Sequence, residues 1–340
     1  MENFVLYLIA LLIAGISSIL SLRLFNRTLV PYFLDRPFGL KKHEHAVPVL
    51  GGLAIFTGTL ISLTCIRFIT NFPTGTLHNL RGIFIGGTLI FAIGLLDDIH
   101  KPKGVPVWIK LAVQTIAATA LIYYDITIHA IPSVWISYPL TFFWLLGLTN
   151  AFNLLDISDG LCVSQAVICT LGITIISLPS EFVYVNFAAV ALLGACLGFW
   201  PHNHVKNKIF LGDSGATFLG FMLAALSMGT GYCQHVSFGC LAPLFILAIP
   251  LFDTFFVIIA RIKKGKNPLK GSDDHLALRL KRRGFTNKTV LFSFGLGALL
   301  FNLLAYFLTR CSSCTAILFF CFSFLFFSGV TIFFLRQDNP

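Results

Sequence analysis

Charge is scarce in this sequence: its 340 residues include 24 Lys and Arg and 14 Asp and Glu, 11% in all. So few charges could not cover the surface of a water-soluble domain of this length, which excludes that class. Zinc-type cysteine spacing is missing too. The nine cysteines are scattered, and the one close pair, Cys311-x-x-Cys314, reads as packing. No basic domain or aromatic RNA-binding motif accompanies the cations, so nucleic acid is not an expected partner. The first apolar stretch, Phe4 to Leu24, has no basic segment ahead of it and no small-residue cleavage site, and reads as a retained span.

What is abundant is apolar surface, 56% of residues with a mean hydropathy of +0.86. Eleven runs are long enough, with some tilt, to cross a hydrocarbon layer of roughly 30 Å as helices. They centre on residues 3–25, 49–70, 82–96, 107–124, 134–152, 160–179, 183–200, 214–232, 238–260, 289–309 and 314–335. Helices are required because lipid offers the backbone no hydrogen-bond partner. The expected fold is therefore all-α, a polytopic membrane bundle of about eleven transmembrane helices in one domain, 1–340. With the N-terminus outside and the C-terminus cytoplasmic, the loops at about 26–48, 97–106, 153–159, 201–213 and 261–288 face the cytoplasm. These loops, their flanks and the tail hold every Lys and Arg except Arg67, Arg81 and Arg310, as the positive-inside rule demands.

The same topology sorts the acids. Only Glu2, Asp125 and Glu181 fall outside, while Asp97, Asp98, Asp156, Asp159, Asp213, Asp273 and Asp274 gather in or beside cytoplasmic connections. Carboxylates at helix ends beside lipid are expensive unless a cation, water or polar partner meets them, so their convergence predicts a site. Asp97-Asp98 closes an apolar helix, and adjacent acids call for a neutralising cation. The pair lacks the third acid of a DDxxD motif, Lys101 standing in its place. Lys110, opening the next helix, can point at a bound phosphate or simply snorkel to the interface.

Asn150-Ala-Phe-Asn153-Leu-Leu-Asp156-Ile-Ser-Asp159-Gly160 packs two amides and two carboxylates into one helix end. In Phe210-Leu-Gly-Asp213-Ser-Gly215 an acid between glycines starts a helix, where backbone approach is close and N–H groups favour anions. Asp213 could be a plain N-cap. With Asn203 and Lys208 just upstream, a metal or phosphate site is the preferred reading. The last loop is the most basic, and its His275 beside two acids can serve as phosphate donor or proton carrier.

Together with Lys41-Lys-His43 and Pro48-Val-Leu-Gly51-Gly52, these motifs stand in an order that resembles the polyprenyl-phosphate N-acetylhexosamine-1-phosphate transferases, glycosyltransferase family 4. The closest likeness is to the bacterial undecaprenyl-phosphate GlcNAc-1-phosphate transferases. The resemblance runs to about Gly284. It implies a multi-pass enzyme of the bacterial cytoplasmic membrane with its active site on the cytoplasmic face. That enzyme passes a sugar 1-phosphate from a UDP-N-acetylhexosamine to undecaprenyl phosphate and releases UMP.

The resemblance further implies Mg²⁺, with Mn²⁺ as a substitute, held by Asn153 and Asp213. Asp97 and Asp98 would lie near the lipid phosphate. Asp156 and Asp159 would border the nucleotide, with Asp159 on uracil or ribose. Lys41, His43 and Lys110 would meet phosphates, and Asn150, Asn203 and Lys208 would line the substrate site. His275 and Arg279 would hold diphosphate or sugar. A homodimer is compatible with all of this.

The sequence departs from the family at Ile157, where glycine usually follows Asp156, and at Leu278, where a second histidine is common. Ala46 and Val49 replace the usual Pro and Arg. The phospho-MurNAc-pentapeptide branch would carry a run of histidines in the last loop, where this chain has only His275. A transporter or flippase is the alternative of a different class. It would place its ionisable groups near the midplane and often show internal repeats, and neither pattern is found.

Overall fold

The computed structural model describes residues 2–35, 46–70, 75–179, 183–204, 209–232, 237–267 and 273–336. Its contacts gather into two compact units, Met1–Thr230 and Gly231–Pro340.

The first unit holds eight helices: α1 Glu2–Thr28, α2 Gly51–Ile69, α3 Thr76–Ile99, α4 Val107–Tyr123, α5 Val134–Leu155, α6 Leu161–Ser177, α7 Val183–His204 and α8 Gly212–Gly229. A two-residue ribbon, β1 Leu34–Asp35 antiparallel to β2 Val47–Pro48, lies between α1 and α2. The helix α8 is the axis of this unit, buried at every residue from Ser214 to Gly229 and flanked by α3 and α5. A second layer forms where α7 packs on α1, α2 and α6. Gly194 and Gly198 allow it: a Cβ at Gly198 would stand 2.5 Å from Gly15 O, and one at Gly194 would collide with Leu11 O. Small residues four apart thus bring the α1 and α7 backbones together, as in other lipid-embedded helix pairs.

The second unit holds α9 Ala242–Ile246, α10 Ala248–Lys263, α11 Leu276–Arg282, α12 Asn287–Leu308 and α13 Ser313–Arg336. Its outer helix α13 is only 11% buried in its most apolar window. The Phe-rich face of α13 is not wholly turned outward, however. Phe327 stacks on Phe252 of α10 at 4.3 Å and on Phe301 of α12 at 4.8 Å.

Each of the eleven predicted runs contains helix. Among the described residues six helices (α1, α2, α3, α7, α12 and α13) are long and apolar enough to cross a membrane, or seven if the bent segment Phe238–Lys263 counts as one. The molecule is a helical membrane protein. Three expectations need correction. The run 238–260 is not one straight span: it breaks at Leu247 and bends by 69°. The segments 97–106 and 153–159 are not loops throughout, because α3 continues to Ile99 and α5 to Leu155, placing Asp97, Asp98 and Asn153 on helices. The connection 261–288 contains α11, a helix of its own.

Candidate active site

The site begins with backbone pairing. Phe210 N donates to Pro48 O at 2.8 Å, Gly51 N to Phe210 O at 3.0 Å and Gly52 N to Leu211 O at 2.9 Å. Two motifs some 160 residues apart in sequence are thereby laced together, and the lacing fixes where α8 starts. Gly212 makes the turn into the helix with φ +81°, and a Cβ there would stand 2.6 Å from Asp98 Oδ2. Only glycine meets both demands.

Asp98 then caps α8 from a different helix. Its Oδ1 accepts from Asp213 N at 3.0 Å, and its Oδ2 accepts from Ser214 N at 3.0 Å and Ser214 Oγ at 2.7 Å. A carboxylate on unpaired first-turn amides satisfies both the donors and the helix dipole. Lys101 Nζ closes the arrangement, 2.8 Å from Asp98 Oδ1 and 2.9 Å from Asp213 Oδ1. Lys110 Nζ does the same on the other side, 2.8 Å from Asp97 Oδ2 and 3.2 Å from Asp213 Oδ2. Val105 N ties down the remaining Asp97 oxygen at 2.6 Å.

Three carboxylates and two ammonium groups thus alternate, with one formal negative charge in excess. Burial works against the Lys101 ammonium, but Asp98 and Asp213 outweigh it and hold the group firmly protonated. The Asp98 side chain is sealed, whereas that of Asp213 keeps 23% of its exposure. Asp213 is therefore the carboxylate of the three best placed to meet a ligand.

Beside this cluster, α5 ends at Asp156. Burial, reinforced by the Asp213 charge, pushes its carboxyl up to about 7. One turn back, the Asn153 amide is half-buried and makes no side-chain hydrogen bond among the described residues. Asp159 is half-buried in the turn that follows. The oxygen donors Asp213 and Asn153, with the excess negative charge, fit a hard divalent cation. Among the described residues no three His, Cys, Asp or Glu side chains converge as a protein-only metal cage. That suits an ion completed by water and phosphate oxygens.

Other expected ligands are occupied within the protein. Asn150 Nδ2 donates to Gln114 Oε1 at 2.9 Å and to Leu146 O at 2.8 Å, pinning α5 to α4. Asn203 Oδ1 accepts from Gly160 N at 2.8 Å while its Nδ2 donates to Ile209 O at 2.9 Å. It ties the turn after α5 to the segment entering α8. Lys101 is the site residue that sequence reading passed over. Its signal was the i, i+3 spacing from Asp98 at a helix end. Lys41, His43 and Lys208 lie outside the described residues.

In the second unit His275 is 1% exposed and pairs through Nδ1 with Asp253 Oδ2 at 2.7 Å. Arg279 Nε donates to Asp274 O at 2.8 Å and its Nη2 to Asp274 Oδ1 at 3.1 Å, with the guanidinium 4.9 Å from the centre of the Phe256 ring. Both residues are built into the α10–α11 junction.

Residues 80–231, which carry both lysines and all the carboxylates of the first unit's site, match the model of glycosyl transferase family 4. A probable undecaprenyl-phosphate N-acetylglucosaminyl 1-phosphate transferase of Bacillus subtilis is 31% identical over 264 residues, 75% of this chain and 71% of the relative. The chain belongs to glycosyl transferase family 4. Another similar member is the undecaprenyl-phosphate alpha-N-acetylglucosaminyl 1-phosphate transferase of Thermotoga maritima, 30% identical over 280 residues and 80% of each chain. The phospho-N-acetylmuramoyl-pentapeptide-transferase of Streptococcus mutans is 32% identical over 253 residues, 65% of this family 4 chain and 71% of the relative.

Proposed function

We propose that this chain transfers the N-acetylhexosamine 1-phosphate of a UDP-sugar, GlcNAc 1-phosphate in particular, to undecaprenyl phosphate and releases UMP. The observation that carries this reading is the cluster of Asp97, Asp98 and Asp213 interleaved with Lys101 and Lys110. Phosphoryl transfer asks for in-line positioning and charge neutralisation more than for covalent machinery. Such a cluster supplies both: cations held on carboxylates from which they can turn to phosphate oxygens, and an acidic pole that tolerates a divalent ion.

In the proposed site Asn153 and Asp213 hold Mg²⁺, with Mn²⁺ as a substitute. When bound, the ion neutralises charge developing on the transferred phosphate. Lys110 and Lys101 can swing from carboxylate to phosphate oxygens as substrate enters. Asp98 acts by holding α8, and with it Asp213, in place. Asp97 anchors Lys110 and stands nearest the attacking lipid phosphate. That phosphate is largely ionised at neutral pH and needs no strong base. Asp156 and Asp159 border the nucleotide.

In the same reading the chain lies in the bacterial cytoplasmic membrane with eleven spans, the N-terminus outside and the site on the cytoplasmic face. The expected result for purified protein with undecaprenyl phosphate is metal-dependent UMP release from UDP-GlcNAc, lost with chelator and regained with Mg²⁺. Absence of UMP with every UDP-N-acetyl sugar tried, in a folded sample, would overturn the reading. The likeness to the Streptococcus mutans protein makes phospho-MurNAc-pentapeptide the second donor to test. The single His275 of the last loop speaks for the smaller sugar.

A further inference from the structure

Asp253 lies nearly three turns from the C-terminal end of α10, 2% exposed and among apolar neighbours. A carboxylate so placed needs a reason. Its two oxygens reach two adjacent residues at the start of α11. Oδ1 accepts from Leu276 N at 3.0 Å, and Oδ2 lies 2.7 Å from His275 Nδ1. Leu276 N is a first-turn amide that can only donate, so Oδ1 must accept there. A carboxylate that accepts at both oxygens then leaves the Nδ1 position of His275 carrying the proton. His275 Nε2 makes no hydrogen bond among the described residues.

We propose that Asp253 is the positioning residue for His275: it fixes the ring and keeps the Nδ1 proton, so that Nε2 is left as a hydrogen-bond acceptor for a hydroxyl or N–H donor of the substrate. The arrangement is the one by which buried carboxylates set histidine tautomers in other sites. Its substrate half rests on the transferase reading above; its tautomer half does not. The Asp253→Asn substitution separates the roles. The asparagine oxygen must face Leu276 N, because an NH₂ group there would meet another donor. The NH₂ is left facing Nδ1, which can no longer keep its proton. Capping survives while the tautomer inverts.

Two measurements test this. The first is the ¹⁵N spectrum of histidine-labelled protein, with the His275 signals assigned by their loss in His275→Gln. The wild type should show a protonated Nδ1 and Asp253→Asn a bare Nδ1. A bare Nδ1 in the wild type, or an unchanged pattern in the variant, would overturn the proposal. The second is a double-mutant cycle on UMP release. Asp253→Asn should lower kcat by roughly tenfold or more in the native background and have no further effect in His275→Ala. Equal losses in both backgrounds would mean a structural role and overturn the proposal. Should Asp253→Asn fail to accumulate, the wild-type spectrum still decides the tautomer, and Asp253→Ser, which keeps an acceptor for Leu276 N, enters the cycle instead. A wild type with protonated Nδ1 that releases no UMP would sink the transferase reading and leave the Asp253–His275 link standing.

Discussion

Asp98 and Asp213 share the ammonium of Lys101, yet their surroundings give them opposite duties. Asp98 spends both oxygens on α8 and on Lys101, whereas Asp213 keeps part of its surface open. Replacing Asp98 by alanine would leave two first-turn amides and the Ser214 hydroxyl without their acceptor and Lys101 with Asp213 alone, a loss of roughly 1–3 kcal/mol for each buried donor left unpaired. Asp98→Ala should therefore accumulate poorly and unfold at a clearly lower temperature in detergent. Asp213→Asn keeps a neutral acceptor for Lys101, so it should insert and unfold nearly as the native protein does while losing turnover. Retained turnover in Asp213→Asn would remove that residue from the metal site. The acids were legible in the sequence because carboxylates beside lipid are rare. Their division of labour was not, since it depends on contacts spanning more than a hundred residues. Lys101 was missed for the same reason, its second partner being Asp213.

Elements meet where side chains are absent. The start of α8 is fixed by Gly212, whose positive φ and nearness to Asp98 Oδ2 exclude any Cβ. Gly212→Ala should cost at least about 1 kcal/mol from the backbone conformation alone. Because it also displaces Asp98, the expected outcome is loss of both thermal stability and UMP release. Full activity in Gly212→Ala would show that the α8 start tolerates movement. The α1–α7 contact offers a contrast far from the chemistry. Gly198→Leu should separate the two backbones and lower the unfolding temperature, and the KM for UDP-sugar of whatever folds should stay unchanged. Helix existence was legible from apolar run length for every spanning segment, but not for the short, basic α11. Helix ends were less so: the loops drawn from 97 and 153 each take in the last three residues of a helix, α3 ending at Ile99 and α5 at Leu155, because polar residues close each helix. The break at Leu247 lies inside an unbroken apolar run, where hydropathy carries no mark of a bend.

For the whole molecule, the asymmetric placement of basic residues sets a direction that the helices themselves do not reveal. All but Arg67, Arg81 and Arg310 of the 24 Lys and Arg fall on the face assigned to the cytoplasm, and so do the carboxylates of the site. This coincidence has a physical basis, since a nucleotide-sugar is too polar to cross lipid and must be met where it is dissolved. The orientation can be tested without any turnover. A fluorescent protein fused after Pro340 should fold and fluoresce in living cells, whereas alkaline phosphatase at the same point should stay inactive. Alkaline phosphatase inserted after Asp125, in the turn between α4 and α5, should be active. The reverse pattern would place Lys101, Lys110 and Asp213 on the outer face. The transferase reading would then fail whatever the geometry of the cluster, because no UDP-sugar would reach it.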